Sequence, residues 1–121
     1  MTIIEAIDKV DTLKPNVYTQ EDKIGWLSSL DGMIKIGVID RHEGAVLWTP
    51  YTSETDINTE LIVGSPYEEM YITWLESKID YSNSEYIKYN NSITRFNDTY
   101  QAFCNDYNRT HMPIGYKNRY F

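Results

Sequence analysis

The feature that most limits what this chain can fold into is a run of residues, Tyr86, Tyr89, Ile93, Phe96, Tyr100, Phe103 and Tyr107, at intervals of 3, 4, 3, 4, 3 and 4. That spacing lines one face of an α-helix over three heptads and suits no strand, whose side chains alternate with a period of two. The stripe can be traced back through Ser82, Ile79, Leu75 and Ile72, so a single helix from Pro66 to Asn108, a rod of about 65 Å, satisfies the pattern. Against it stands the polar stretch from Asp80 to Glu85, whose short side chains compete with the backbone and in which Ser82 and Glu85 have capping-box spacing. The reading adopted is a break near Asn83, with a last helix over 84–108. The stripe is first of all the core face of a helix in a bundle. Its bias to tyrosine adds something, because a seam serving one monomer draws more on Leu and Ile, whereas a tyrosine hydroxyl asks for solvent or a partner at the edge.

The rest of the chain reads in the same way. Thr2 and Glu5 form a capping box, Ile3, Ile7 and Val10 recur at helical spacing, and Lys14-Pro15 stops the helix, predicting 3–13. Thr19 followed by Glu21 and Asp22 starts a second helix over 20–38, with Ile24, Leu27, Leu30 and Ile34 on one face. Gly25, Gly32 and Gly37 weaken it, so its end falls between Asp31 and Ile39. Ser65-Pro66-Tyr67-Glu68 combines an N-cap serine, proline at the first helical position and a glutamate two residues later, predicting a helix over 66–81. Between these lies 40–64, punctuated by Gly, Pro, Ser and Thr. It reads as an irregular connection, with short strands possible at Ala45–Trp48 and Leu61–Val63 and a role in contact with a neighbour. The expected fold is mainly α: about four helices in a bundle within a single domain over 1–108, followed by a basic, aromatic C-terminal arm over 109–121.

Charge separates body from arm. The net charge of −7 argues against a surface devoted to nucleic-acid phosphates. Residues 109–121 nevertheless hold three Lys/Arg and no Asp/Glu. Arg109, His111, Tyr116, Lys117, Arg119, Tyr120 and Phe121 are therefore candidate protein-interaction residues, matched to an acidic surface of another copy or of a different protein. Trp48 and Tyr51 of the connection join them. No apolar run approaches the roughly 18 residues that span a bilayer, and the N-terminus lacks a secretory pattern, so synthesis and folding in the cytoplasm without membrane contact are expected. The Asn-X-Ser/Thr triplets at Asn90, Asn97 and Asn108 are then chance products of an Asn-rich helix.

Motifs for chemistry are missing. His42 lies in Asp40-Arg41-His42-Glu43, without the spacing of a zinc helix, and reads as a solvated turn residue; His111 has no second ligand close in sequence. Glu68 and Glu69 sit where a helix dipole favours acids. Cys104 is the sole cysteine and reads as a small buried hydrophobe. There is no phosphate loop, nucleophile elbow or paired-cysteine pattern, so no catalytic, metal or cofactor residue is assigned and no enzyme activity is expected.

The stretches LKPNVYTQEDKIGWLSSLDG, PYEEMY and FNDTYQAFCNDYNRTHMP, within about 85 residues of similar texture, resemble a family of small structural-module proteins of tailed bacteriophages and prophages of Gram-positive bacteria. Members tend to carry proline at the position of Gly64 and glycine at that of Ser84. In size and helical layout such proteins look like head-tail connectors, or neck adaptors. The resemblance implies a virion protein made in the host cytoplasm and assembled as a homo-oligomeric ring of about a dozen copies. The ring would sit between the portal and tail-side neck proteins, and DNA would pass through without specific binding. It also implies a C-terminal arm that docks on the portal, and no cofactor. Another virion component, of tail or baseplate, and an intracellular protein-interaction module are the alternatives.

Overall fold

The computed structural model describes residues 1–44 and 47–112. Helices α1 (Ile3–Leu13), α2 (Gln20–Gly37), α3 (Glu69–Ser82) and α4 (Tyr86–Thr110) form the bundle, with a 3-10 turn at Ile39–Arg41 after α2. The capping box of α1 is formed, Glu5 N donating to Thr2 Oγ1 at 3.2 Å and Thr2 N to Glu5 Oε1 at 3.1 Å. A second box, Thr19 with Asp22, opens α2. Both satisfy amides that the first turn of a helix leaves without intrahelical acceptors.

Helix α3 is the centre of the molecule, with every residue from Met70 to Leu75 buried. A helix buried all round must be covered on several sides, and here α4, α1 and α2 each pack on it. Helix α4 lies antiparallel beside α3, Phe96 meeting Trp74 with ring centroids 5.0 Å apart and Phe103 meeting Tyr67 at 5.9 Å. Within the heptad stripe Phe96 and Phe103 are buried, Tyr89, Tyr100 and Tyr107 half-buried, and Tyr86 exposed. The phenylalanines hold the centre of the seam and the tyrosines its margins, as their hydroxyls require.

Four local expectations are corrected. Helix α3 starts at Glu69, not Pro66: Glu68 binds the Met1 ammonium instead of turning back to cap. The possible strand at Leu61–Val63 does not form, and that at Ala45–Trp48 lies partly outside the described residues; Thr2 and Glu60 form an isolated antiparallel bridge, flanked by Ile3 N to Thr59 O and Leu61 N to Met1 O. The break after Ser82 is present but no Ser82–Glu85 box makes it. Ser84 sits in the left-handed region (φ 59°), Glu85 N donates to Asp80 O at 2.9 Å and Ser84 N to Tyr81 O at 3.0 Å. This is a Schellman turn, which closes α3 through its last carbonyls. Finally, α4 runs to Thr110, so Arg109 belongs to its last turn, paired with Asp106 at 2.9 Å, and the arm begins later than 109.

Candidate functional site

The connection between α2 and α3 is irregular yet firmly held, and its anchor is an aspartate. Ser28, Asp31 and Gly32 fall on one face of α2. The chain from Trp48 to Val63 lies over that face. Asp31 is fully buried, with Tyr51 Oη donating to Oδ2 and Tyr71 Oη to Oδ1, each at 2.6 Å, and Ile62 N donating to Oδ2 at 3.1 Å. Tyr71 Oη also accepts from Val63 N at 2.8 Å, and Tyr51 N donates to Ser28 Oγ at 3.0 Å. One carboxylate thus binds α2, α3 and the connection at two points, Tyr51 in its middle and Ile62 near its α3 end, with donors for both its oxygens. Burial pushes its pKa up, against the opposing pull of the three hydrogen bonds. Burial, with the neighbouring carboxylate, also holds both tyrosine hydroxyls protonated far above their usual range. A catalytic acid or base must reach a substrate proton. Asp31 reaches only its tyrosines and a backbone amide, so its role is structural.

Two further buried ions lock the helices together. Asp80 is fully buried, bound by Lys14 Nζ at 2.5 Å and by Ser92 Oγ at 2.6 Å, which joins the end of α1 to the α3–α4 hairpin. Lys23, 3% exposed, reaches Asp11 at 2.7 Å and the carbonyl of Tyr18 at 3.0 Å. Burial alone would raise the Asp11 pKa, but the hydrogen bonds from Lys23 and Asn16, with the lysine charge, bring it below its ordinary value.

The predicted interaction residues divide. Tyr51 is 7% exposed with its hydroxyl on Asp31, so its polar end is used inside the protein and only its ring edge is left to the surface. Trp48 is half-buried, its ring edge on to Tyr51 at 5.6 Å and covering Gly32, where an added Cβ would stand 3.4 Å from Cη2. Its indole N–H is buried without a partner among the described residues. Trp48, Tyr51 and Ile62 line a groove of about 350 Å³ together with the fully exposed Leu47. At the far end of α4, His111 stacks on Tyr107 with centroids 3.8 Å apart, and Arg109 is exposed beside Asp106. Tyr116, Lys117, Arg119, Tyr120 and Phe121 lie outside the described residues.

His42 overturns its reading as a solvated turn residue. It is 6% exposed, with Nδ1 2.6 Å from Val38 O and Nε2 2.7 Å from Asn108 Oδ1, and its ring is edge on to Tyr107 at 4.9 Å. The turn after α2 folds back on the end of α4, so a sequence-local turn becomes a tertiary contact. Glu43 N adds a bond to Met112 O at 2.8 Å. These contacts fix the point from which the C-terminal segment departs. Among the described residues no group of His, Cys, Asp and Glu side chains is arranged to hold a metal, and no helix is long and apolar enough to cross a membrane. Cys104 is half-buried, and burial raises its thiol pKa.

Comparison of the chain with protein-family models, with curated proteins and with solved structures finds no significant match.

Proposed function

We propose that this protein is a structural subunit of a tailed-phage virion, of the head-tail connector type, forming a ring between portal and tail with its C-terminal arm toward the portal. The observation that carries the reading is the fixed root of that arm. His42, Asn108, Glu43 and Met112 hold the end of α4, so the basic, aromatic residues beyond it leave every copy from one defined point. The family resemblance of the sequence supports the same role. So do the buried charges at Asp31, Asp80 and Lys23, which hold helices and connection together.

Truncation after Met112 tests it. Far-ultraviolet circular dichroism is expected to stay unchanged, while binding to the purified portal, followed by native mass spectrometry and negative-stain imaging, is lost. Retained binding would remove the arm from the contact. A full-length protein that neither forms rings nor binds the portal would overturn the connector reading and favour a tail or baseplate position.

A further inference from the structure

Two helices end against one histidine. Helix α2 closes at Gly37, and the carbonyl of its C-cap residue, Val38, lies 2.6 Å from His42 Nδ1. Helix α4 closes at Thr110, and Asn108, in its last turn, brings Oδ1 to 2.7 Å from His42 Nε2. The last turn of a helix leaves carbonyls without intrahelical donors and carries the negative end of the dipole, so a ring held against two such ends sits where positive charge is favoured. His42 is buried, whereas Asn108 is exposed, so the contact is closed on the side of the ring and open to solvent on the side of the amide.

The two contacts constrain the protons on the ring. A backbone carbonyl can only accept, so Nδ1 carries a proton towards Val38. In the neutral ring Nε2 is then a bare acceptor, lone pair to lone pair with Asn108 Oδ1. Nε2 donates to that oxygen only in the imidazolium, and the neutral ring bonds Asn108 only after the amide has turned to offer Nδ2. The first bond is charge-assisted and about twice as strong as the second. It is also the one that places a cation at the two helix ends.

The charges on the elements around the ring come in opposites. Lys35 of α2 pairs with Asp40 of the turn, and Arg109 of α4 with Asp106 at 2.9 Å. Arg41 and Glu43 flank His42 in sequence. Tyr107, edge on to His42, has its hydroxyl held protonated by burial, against the pull of Lys35. His111, stacked on Tyr107 with its ring centroid 6.5 Å from that of His42, titrates in the ordinary histidine range and opposes His42 when both are charged. We infer that His42 and Asn108 form a proton-dependent latch between the turn after α2 and the end of α4. Protonation of Nε2 fastens it on Asn108 Oδ1; as pH rises through the histidine range, about 5 to 8, the charged bond is lost and the hold weakens. The bond from Glu43 N to Met112 O, next to His42 in the turn, reports the state of the latch. The latch acts at the root of the C-terminal segment and stands whatever that segment binds.

NMR of the full chain across this pH range tests it, with His111→Gln to tell the two histidines apart. Ring nitrogen shifts are expected to show Nδ1 of His42 protonated throughout and Nε2 losing its proton, the side-chain amide signals of Asn108 moving with the same midpoint. Protection of the Glu43 amide, corrected for intrinsic exchange, should fall about fivefold to tenfold from the acid to the alkaline end. Asn108→Asp, which adds a negative charge beside the ring, should raise the His42 midpoint by about one pH unit or more. Asn108→Leu, at an exposed position and so expected to fold, should cut the pH dependence of Glu43 protection to about twofold or less. Three results would each overturn the latch: an Nε2 that keeps one state throughout, Asn108 amide signals that do not follow the His42 midpoint, or Glu43 protection equal at the two ends of the range. A dependence that survives Asn108→Leu and vanishes in His111→Gln would overturn it too, by assigning the effect to His111.

Discussion

Removing the Tyr71 hydroxyl leaves the buried Val63 N–H without an acceptor and takes one donor from Asp31. Tyr71→Phe is therefore expected to lower stability by about 2–3 kcal/mol in urea unfolding, well beyond the value of an ordinary hydrogen bond, since an orphaned buried amide keeps its full desolvation cost. A loss under 0.5 kcal/mol would mean that water reaches this site. Asp31 adds a pH dependence. Its folded-state pKa is raised, so its favourable contribution is complete below the 3.8 of an unfolded aspartate and declines as pH climbs from there through the folded-state value. Asp31→Asn, which cannot ionise, is destabilising because it loses an acceptor, but the deficit relative to the parent should be smaller at pH 7 than at pH 4, close to the unfolded value. Urea midpoints at the two values check this, and a deficit that grows with pH would contradict it. None of this was legible in the sequence. Asp31 stands beside Leu30 in a helical stripe, and nothing local says that tyrosines 20 and 40 residues away will reach it.

Among the described residues, the α3–α4 turn is where a non-glycine side chain sits at positive φ. Ser84 occupies a left-handed position that glycine adopts without a clash. Ser84→Gly is expected to raise stability by about 0.5–1 kcal/mol, read from thermal or urea unfolding; a decrease would mean that the serine side chain contributes more than its backbone costs. Helix α2 offers the converse. A Cβ at Gly25 meets nothing within 4 Å, so Gly25→Ala should stabilise by up to about 1 kcal/mol from helix propensity alone. Helix starts built from adjacent residues, such as Thr2–Glu5, were legible because the whole motif is local. The Ser65–Glu68 motif misled by three residues because its glutamate had a distant competitor, the Met1 ammonium. Gly32 is equally non-local: it reads as a weak point in a helix until the Trp48 ring is found lying on it.

At the level of the whole molecule, the connection is expected to behave as part of the core at its ends and as a loop in its middle. The amides of Ile62 and Val63, bound to Asp31 and Tyr71, should exchange with solvent only on global unfolding, whereas those of Ser53 and Glu54, in an exposed turn, should exchange through local motion. Hydrogen exchange followed by NMR gives the comparison, and equal rates for the two sets would show that the Asp31 anchor does not hold. The four-helix layout was legible from periodicity and punctuation, since both are set by near neighbours. The course of the connection, the burial of His42 and the polar anchors were not, because each depends on which helix faces which.

The position of α3 also sets the order of events while the chain is being made. This helix, buried on every side, is encoded after more than half of the sequence. Helices α1 and α2 therefore leave the ribosome with their apolar stripes facing a partner that has not yet been synthesised, and strands of contact such as Ile3 N to Thr59 O must wait as well. Packing of these helices in consequence waits until α3 has been made, and α1 and α2 are the part of the nascent chain that a chaperone will find exposed.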